Sequence, residues 1–367
     1  MWLKNITLLN FKNYSDADLR FSKTVNAFVG NNGAGKTNLL DAIHYLCLCK
    51  SYFNPIDSQQ IKATEDLFLI QGDFDRSDKN EKITCGIKRS QKKQFKRNKK
   101  EYDKLADHIG LFPLVMVSPY DINIIMEGSE ERRRFMDNVI SQTDARYLDE
   151  LILYNKQLLN RNSLLKQINI TRSYDPTLLE IYNDQLRDSG NKIHLKRQNF
   201  MAEFIPLFNR YYGYLTEDKE VVSTTYQSQL NETSFDVLLL QSIEKDKFLE
   251  RTTTGIHKDD LLFTIHDMPL KKFGSQGQQK SFLIALKLAQ YAYLQRFKQD
   301  QPLLLLDDIF DKLDDNRVQK LMHMVSHQDF GQIFITDTSK ERLLSIFNKI
   351  NVPVTLFEVN NGSVHHA

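Results

Sequence analysis

Thr24-Val25-Asn26-Ala27-Phe28-Val29-Gly30-Asn31-Asn32-Gly33-Ala34-Gly35-Lys36-Thr37-Asn38-Leu39-Leu40-Asp41-Ala42-Ile43 is the stretch on which the fold turns. Its first half is an apolar run that ends at Gly30. Its second half carries apolar residues at helical spacing, continuing through Leu46 and Cys47. Between them stands a complete G-x-x-x-x-G-K-T loop. Strand, glycine-rich loop and helix form the context in which backbone N–H groups curl around a polyphosphate while the helix dipole points at the same anion. Gly30, Asn31, Asn32, Gly33, Ala34 and Gly35 supply the cradle. Lys36 is placed to bridge β- and γ-phosphates, and Thr37 to ligate Mg²⁺. A plain glycine-rich helix cap would not need every fixed position filled. The cofactors implied are ATP and Mg²⁺.

Such a site needs an acid at the end of a buried strand. Leu303-Leu304-Leu305-Leu306-Asp307-Asp308 provides it: four leucines suit a strand buried on both faces, with two carboxylates at its C-terminal edge, where open α/β sheets bind ligands. Asp307 is expected to hold the metal through a water. Asp308, on the other side of the strand, is expected to orient or deprotonate the attacking water. A second anion site opens a long amphipathic helix at Ser275-Gln276-Gly277-Gln278. One γ-phosphate does not need two such sites from the same chain. The economical reading is that Ser275 and Gly277 of one subunit close over nucleotide held by another.

With these three elements in order, the sequence resembles the SMC-like branch of the ABC-type ATPase heads. Ser275–Gln278 stands where that branch has its signature, and Asp311-Lys312-Leu313-Asp314 has the spacing of its D-loop. Asp337 occupies the position at which many members carry a switch histidine. Further segments narrow the resemblance: Ile6–Tyr14, Asn38–Ile43, Cys49–Tyr52, Ser118–Asp121, Glu131–Asp137 and Thr254–Leu261. Together they resemble the RecF family of bacterial DNA replication and repair proteins. Ile256 and Lys258 depart from its usual Pro and Arg, and a lysine lacks the two-pronged geometry of a guanidinium. The resemblance implies a weak DNA-dependent ATPase that acts mainly as an ATP-switched clamp. It would bind duplex or gapped DNA, dimerise on ATP and help load RecA with RecR and RecO. It also implies that Lys12 lies at the nucleotide.

The expected fold is α/β: an ABC-type head with a mixed sheet and helices (residues 1–121 and 252–367), interrupted by a mostly helical arm (122–251). Pro176 and Pro206 read as helix boundaries. Three cysteines (Cys47, Cys49, Cys85) are too few for a disulfide framework and read as buried thiols of a cytoplasmic protein. No run approaches the roughly 18 apolar residues of a membrane helix, so no membrane partner is expected. An ATPase subunit of a membrane transporter would lack the long insertion. A structural SMC-like chromosome protein would need sustained heptads over a far longer one.

The charge is uneven. The 367 residues carry 49 Lys and Arg against 47 Asp and Glu, a net +2. Lys88–Lys100 holds eight of those bases and no acid; without it, 41 bases face 47 acids, a net of −6. Lys92, Lys93, Lys96, Arg97 and Lys99 are therefore candidate DNA contacts on a hairpin. Its alternative role is a lysine-guarded sheet edge. Arg132 and Arg133 are further candidates, because basic charge near a helix start opposes the dipole and calls for a partner, either DNA phosphate or neighbouring acids. The terminal His365-His366 reads as loose tail.

Overall fold

The computed structural model describes residues 1–171, 176–310, 315–326 and 330–366, with backbone alone at 315, 316, 325 and 326. The candidate D-loop, 311–314, lies outside the described residues. The chain opens with β1 (Trp2–Phe11), β2 (Tyr14–Arg20), β3 (Val25–Val29), α1 (Lys36–Leu48), β4 (Leu67–Arg76), β5 (Lys79–Lys88), β6 (Gln94–Arg97), β7 (Lys100–Glu101) and β8 (Leu114–Val117). Then come α2 (Asn123–Met126), α3 (Ser129–Thr143), α4 (Ala145–Thr171), α5 (Pro176–Thr216), β9 (Val222–Gln227), α6 (Phe235–Leu249), β10 (Asp260–Ile265), β11 (Met268–Pro269) and α7 (Leu270–Phe273). The last are α8 (Gln276–Phe297), β12 (Leu303–Leu306), α9 (Asp315–Ser326), β13 (Ile333–Asp337), α10 (Lys340–Lys349), β14 (Val354–Asn360) and β15 (Ser363–His366).

Two compact units result: Met1–Asp121 with Lys280–Ala367, and Ile122–Gln279. In the first, one sheet runs β15-β14-β3-β13-β12-β8, parallel from β14 to β8. The other is antiparallel, β2-β1-β4-β5-β6-β7. Every residue of β3 and β12 is buried, as expected for strands covered on both faces. The core joins both sheets to α1 through Leu8, Phe28, Leu40, Ile43, Phe68 and Phe334. The second unit is mostly helical, with a small sheet β11-β10-β9.

The second boundary falls at Gln279/Lys280, not at 251/252. Residues 252–279 stay with the helical unit because β10 pairs along β9 and Asp259 is ion-paired with Arg197 of α5.

Two further expectations are corrected. Pro176 does start a helix, but Pro206 lies inside the same one. A proline there costs about 3 kcal/mol. Pro206 and Ala202, whose carbonyl loses its donor, are exposed, so water serves that carbonyl. Phe204, Leu207 and Phe208 are buried around them, and their packing outweighs the cost. His365 and His366 are not loose tail: they form β15, paired to β14 through an Asn361-Gly362 turn with φ of 44° and 83°.

The thiols of Cys47, Cys49 and Cys85 are buried and raised above the usual range by that burial. His44 and His108 are buried and held down at about 4, chiefly by desolvation. His108 Nε2 donates to the Leu46 carbonyl at 2.8 Å, which orients the ring. Unfolding returns each imidazole to about 6.5, so the unfolded state binds more protons between pH 4 and 6.5. Stability is therefore lost as pH falls through that window, by about 2 kcal/mol per histidine at pH 5. Thermal melts from pH 7 to 5 are expected to show this loss, and His108→Gln, which keeps the donor to Leu46, should flatten it. An unchanged slope would refute the assignment.

Candidate nucleotide-binding site

The loop between β3 and α1 tolerates only glycine at two of its turns. Gly35 has φ of 119°, and a Cβ there would lie 2.5 Å from the Asn13 amide. A Cβ on Gly30 would meet the Val359 carbonyl at 2.2 Å. The loop is braced from behind. Asn13 Nδ2 and the Gly362 N–H both donate to the Ala34 carbonyl, at 3.0 and 3.1 Å. Tyr14 Oη donates to the Gly35 carbonyl at 3.0 Å. The N–H groups of Asn32, Gly33 and Gly35 have no backbone acceptor among the described residues, which suits amides that receive phosphate. Lys36 is buried, and its ammonium donates to the carbonyls of Gly30 (2.8 Å) and Asn31 (3.1 Å), across the loop it serves.

Parallel pairing of β12 between β13 and β8 sets the carboxylates. Thr37 Oγ1 donates to Asp307 Oδ1 at 2.9 Å, joining loop to strand end. Thr336, the penultimate residue of β13, donates to the same oxygen at 2.9 Å and accepts the Asp308 N–H at 2.9 Å. Asp308 lies in the left-handed region, φ 45°, and its Oδ1 stands 3.4 Å from the same Thr336 hydroxyl, so the two carboxylates share that threonine. Burial raises Asp307 to about 6, opposed by hydrogen bonds from Thr336 and Thr37 and reinforced by the charge of Asp308. A hydroxyl and a carboxylate, both hard oxygen donors, fit a Mg²⁺ that takes its other ligands from phosphate and water.

Asp337, at the switch position, accepts from Arg342 at 2.7 and 3.0 Å and from the Ser339 N–H at 2.7 Å. It is a buried structural acid. Lys12, expected at the nucleotide, instead pairs with buried Asp41 of α1 at 2.5 Å. Asn13, which the sequence singled out beside Lys12, braces the loop instead of standing open to it, while Thr336, Tyr14 and Gly362 are the site residues that sequence reasoning missed.

In the second unit, Ser275 and Gln276 are exposed. Ser275 and Gln278 form a reciprocal cap of α8: the Gln278 N–H donates to Ser275 Oγ at 3.3 Å and the Ser275 N–H to Gln278 Oε1 at 2.8 Å. Gln278 thus shapes the turn, and Gly277 follows Gln276 in the first turn of α8.

The basic candidates divide. Asn98 and Lys99 form the tight turn between β6 and β7, and Phe95 is buried beneath it. Lys92 and Lys99 are exposed and Lys96 half-exposed. Arg97, however, is bidentate on Glu81 (2.5 and 2.9 Å), and Lys93 is held by Asp57 (2.8 Å) and the Cys49 carbonyl (2.7 Å). These two anchor the hairpin to the protein. Arg132 is bidentate on Asp260 (2.6 and 3.0 Å), and Arg133 donates to the Asp259 carbonyl at 2.6 Å. Arg134 pairs with Glu130 and Glu131. The partner that the helix start called for is protein: Arg132 is committed to it, while Arg133 spends one N–H on it. No helix among the described residues is long and apolar enough to cross a membrane.

Residues 2–364 match the model of the RecF/RecN/SMC N terminal domain. The chain is 49 % identical over 359 residues to the DNA replication and repair protein RecF of Flavobacterium johnsoniae, covering 98 % of this chain and 100 % of that protein. It is 50 % identical over 364 residues to the RecF of Parabacteroides distasonis, covering 99 % of each. Among solved structures it is similar to the recombination mediator protein RecF with ATP in the RecFOR pathway, with a TM-score of 0.90 and 31 % identity over 100 % of this chain and 97 % of that one. An Smc head domain derived from Pyrococcus furiosus shares the fold, with a TM-score of 0.59 and 16 % identity over 100 % of this chain and 96 % of that one.

Proposed function

Because the chain belongs to the RecF family, we propose that it is an ATP-switched DNA-binding protein of replication and recombinational repair, working in the cytoplasm as an ATP-dependent dimer. Residues 1–121 and 280–367 are the ATPase head in this reading, and 122–279 the arm. The observation that carries it is the junction of Thr37, Asp307 and Thr336 beside Lys36. Loop amides and Lys36 hold the β- and γ-phosphates, while Thr37 and Asp307 hold Mg²⁺. The metal, when bound, neutralises phosphate charge and orients the transferred group. Asp308, linked to Asp307 through Thr336, orients the attacking water. The partner subunit's Ser275 and Gly277 close on the γ-phosphate, so ATP joins two subunits and ADP does not. Lys92, Lys96 and Lys99 lie on the DNA, and hydrolysis is slow. RecR, RecO and RecA are the partners that membership of this family suggests. Full-length similarity to RecF relatives leaves the transporter subunit and the long-armed chromosome protein without support.

Sedimentation velocity with ATP, with ADP and with a gapped duplex tests the reading. Dimers are expected with ATP alone, and on DNA. Lys36→Arg is expected to keep nucleotide binding and lose about a hundredfold in hydrolysis. Normal turnover in that variant would remove Lys36 from its role, and nucleotide-independent sedimentation would remove the switch.

A further inference from the structure

The loop Thr252–Asp260 takes no part in the nucleotide site, yet two fully buried arginines are spent on it. Arg161 of α4 donates to Asp246 (2.7 Å) and to Thr252 Oγ1 (2.8 Å), and Asp246 in turn accepts the N–H and hydroxyl of Thr253. Arg197 of α5 donates to the Ile256 carbonyl (2.8 Å), to Asp259 (2.7 Å) and to both oxygens of Asp137. His257 bridges Tyr154 Oη and the Thr252 carbonyl, at 2.8 and 3.1 Å. Gly255, at φ 116°, is packed so closely that a Cβ would lie 2.5 Å from Phe235. A buried guanidinium costs several kcal/mol unless well bonded; Arg197 donates from all three nitrogens and Arg161 from two, its Nη2 being left without a partner among the described residues. Two of them converging on nine residues make a loop with one fixed shape.

The acids at this loop are already engaged, Asp260 by Arg132, Glu244 by Lys247 and Glu250 by Asn169, whereas several of its bases are not. Lys258 is exposed on it, Arg251 is exposed at its start, and Lys245 is exposed on α6 beside Asp246. Arg133 reaches the carbonyl of Asp259, next to Lys258. Lys245, Arg251 and Lys258 have no ion pair among the described residues. Elsewhere in the same unit Lys192, Lys196, Lys219 and Lys247 each have a carboxylate partner. Burial of its stem, then the charges of Arg251 and Arg133, lower the Lys258 ammonium from its usual range. An uncompensated cluster on a pre-shaped loop fits an anion with several charges at fixed spacing.

We infer that the Thr252–Asp260 loop is a phosphodiester-binding site, at which Lys245, Arg251 and Lys258, with Arg133 behind them, contact the DNA backbone. This rests on the DNA-binding reading above and adds a second contact to the Lys88–Lys100 hairpin. Contacts of this kind to the phosphates serve positioning and affinity.

The test is fluorescence anisotropy of a labelled 30-base-pair duplex against salt, for the wild type, for Lys245→Gln/Arg251→Gln/Lys258→Gln, and for Lys92→Gln/Lys96→Gln/Lys99→Gln. Binding of a fluorescent ATP analogue serves as the fold control. Each lost phosphate contact lowers the log–log salt slope by about 0.9. The loop variant is expected to lose about two to three units of slope and at least tenfold in affinity, with ATP binding unchanged. Arg at 258, introduced as Lys258→Arg, should keep the wild-type slope. A wild-type slope in the loop triple variant overturns this inference and leaves the hairpin contact standing. Absence of duplex binding by the wild type overturns the DNA reading with it. Competition by poly-glutamate that depends on the loop lysines, with DNA slope unaltered, would assign the cluster to an acidic protein instead.

Discussion

Asp307→Asn is expected to lower ATP turnover by about two orders of magnitude or more while making the unliganded protein more stable. The two effects share one cause. Asp307 is 4 % exposed and raised to about 6 from 3.8, chiefly by burial. Its ionised form is therefore held at a cost of about 3 kcal/mol at pH 7. That cost is present above pH 6, where the native carboxylate is charged. It fades as pH falls towards 4, where the native group is already protonated. The amide keeps an oxygen for Thr37 and Thr336 but carries no charge to hold Mg²⁺, which forfeits several kcal/mol of transition-state stabilisation. Differential scanning calorimetry at pH 7.5 should place the variant a few degrees higher, with the gap closing towards pH 5. Phosphate release should be near background at every pH. A variant that turns over normally, or a melting difference that ignores pH, would show that Asp307 is not the buried metal-holding acid.

The second large effect is on assembly. Ser275→Arg is expected to abolish ATP-driven dimerisation, weakening it by about a hundredfold or more, the loss typical of a central contact. The side chain is exposed and its only visible duty is the cap shared with Gln278. Losing that cap costs about 1 kcal/mol, too little to unfold the unit. ATP affinity of the monomer should stay within about twofold, because the phosphate loop lies on other residues. Ser275→Ala separates cap from clash: it should dimerise more weakly than wild type and far better than the arginine variant. Persistent ATP-dependent dimers in Ser275→Arg would end the model in which the partner subunit reads the γ-phosphate.

The parts of the site legible in the sequence were those whose residues are contiguous. Gly30–Thr37 and Leu303–Asp308 each state strand, turn and chemistry within ten residues. Thr336 was not legible, because its role follows from β13 lying beside β12, a pairing made by sheet order. Tyr14 and Gly362 were hidden for the same reason: they reach the loop from parts of the chain distant in sequence. The arginines show the converse failure. The run at 132–134 looked like a surface for phosphate, but Asp259 and Asp260, more than a hundred residues on, receive Arg132 and Arg133. Arg97 and Lys93 likewise have protein acids, Glu81 and Asp57, that no neighbouring stretch of sequence reveals. Net charge along a segment says where bases are. It does not say which are already neutralised.

The hairpin of β14 and β15 gives the molecule an order of birth. β3 lies between β13 and β14, and the Gly362 N–H grips the Ala34 carbonyl. The segment that cradles phosphate leaves the ribosome among the first forty residues, yet its neighbours on both sides follow some three hundred residues later. Until residues 333–362 emerge, β3 has no partner strand, and the loop has only Asn13 and Tyr14 behind it. Long-range pairing of this kind slows folding, and it ties completion of the sheet that carries the phosphate loop to the last strands of the described chain.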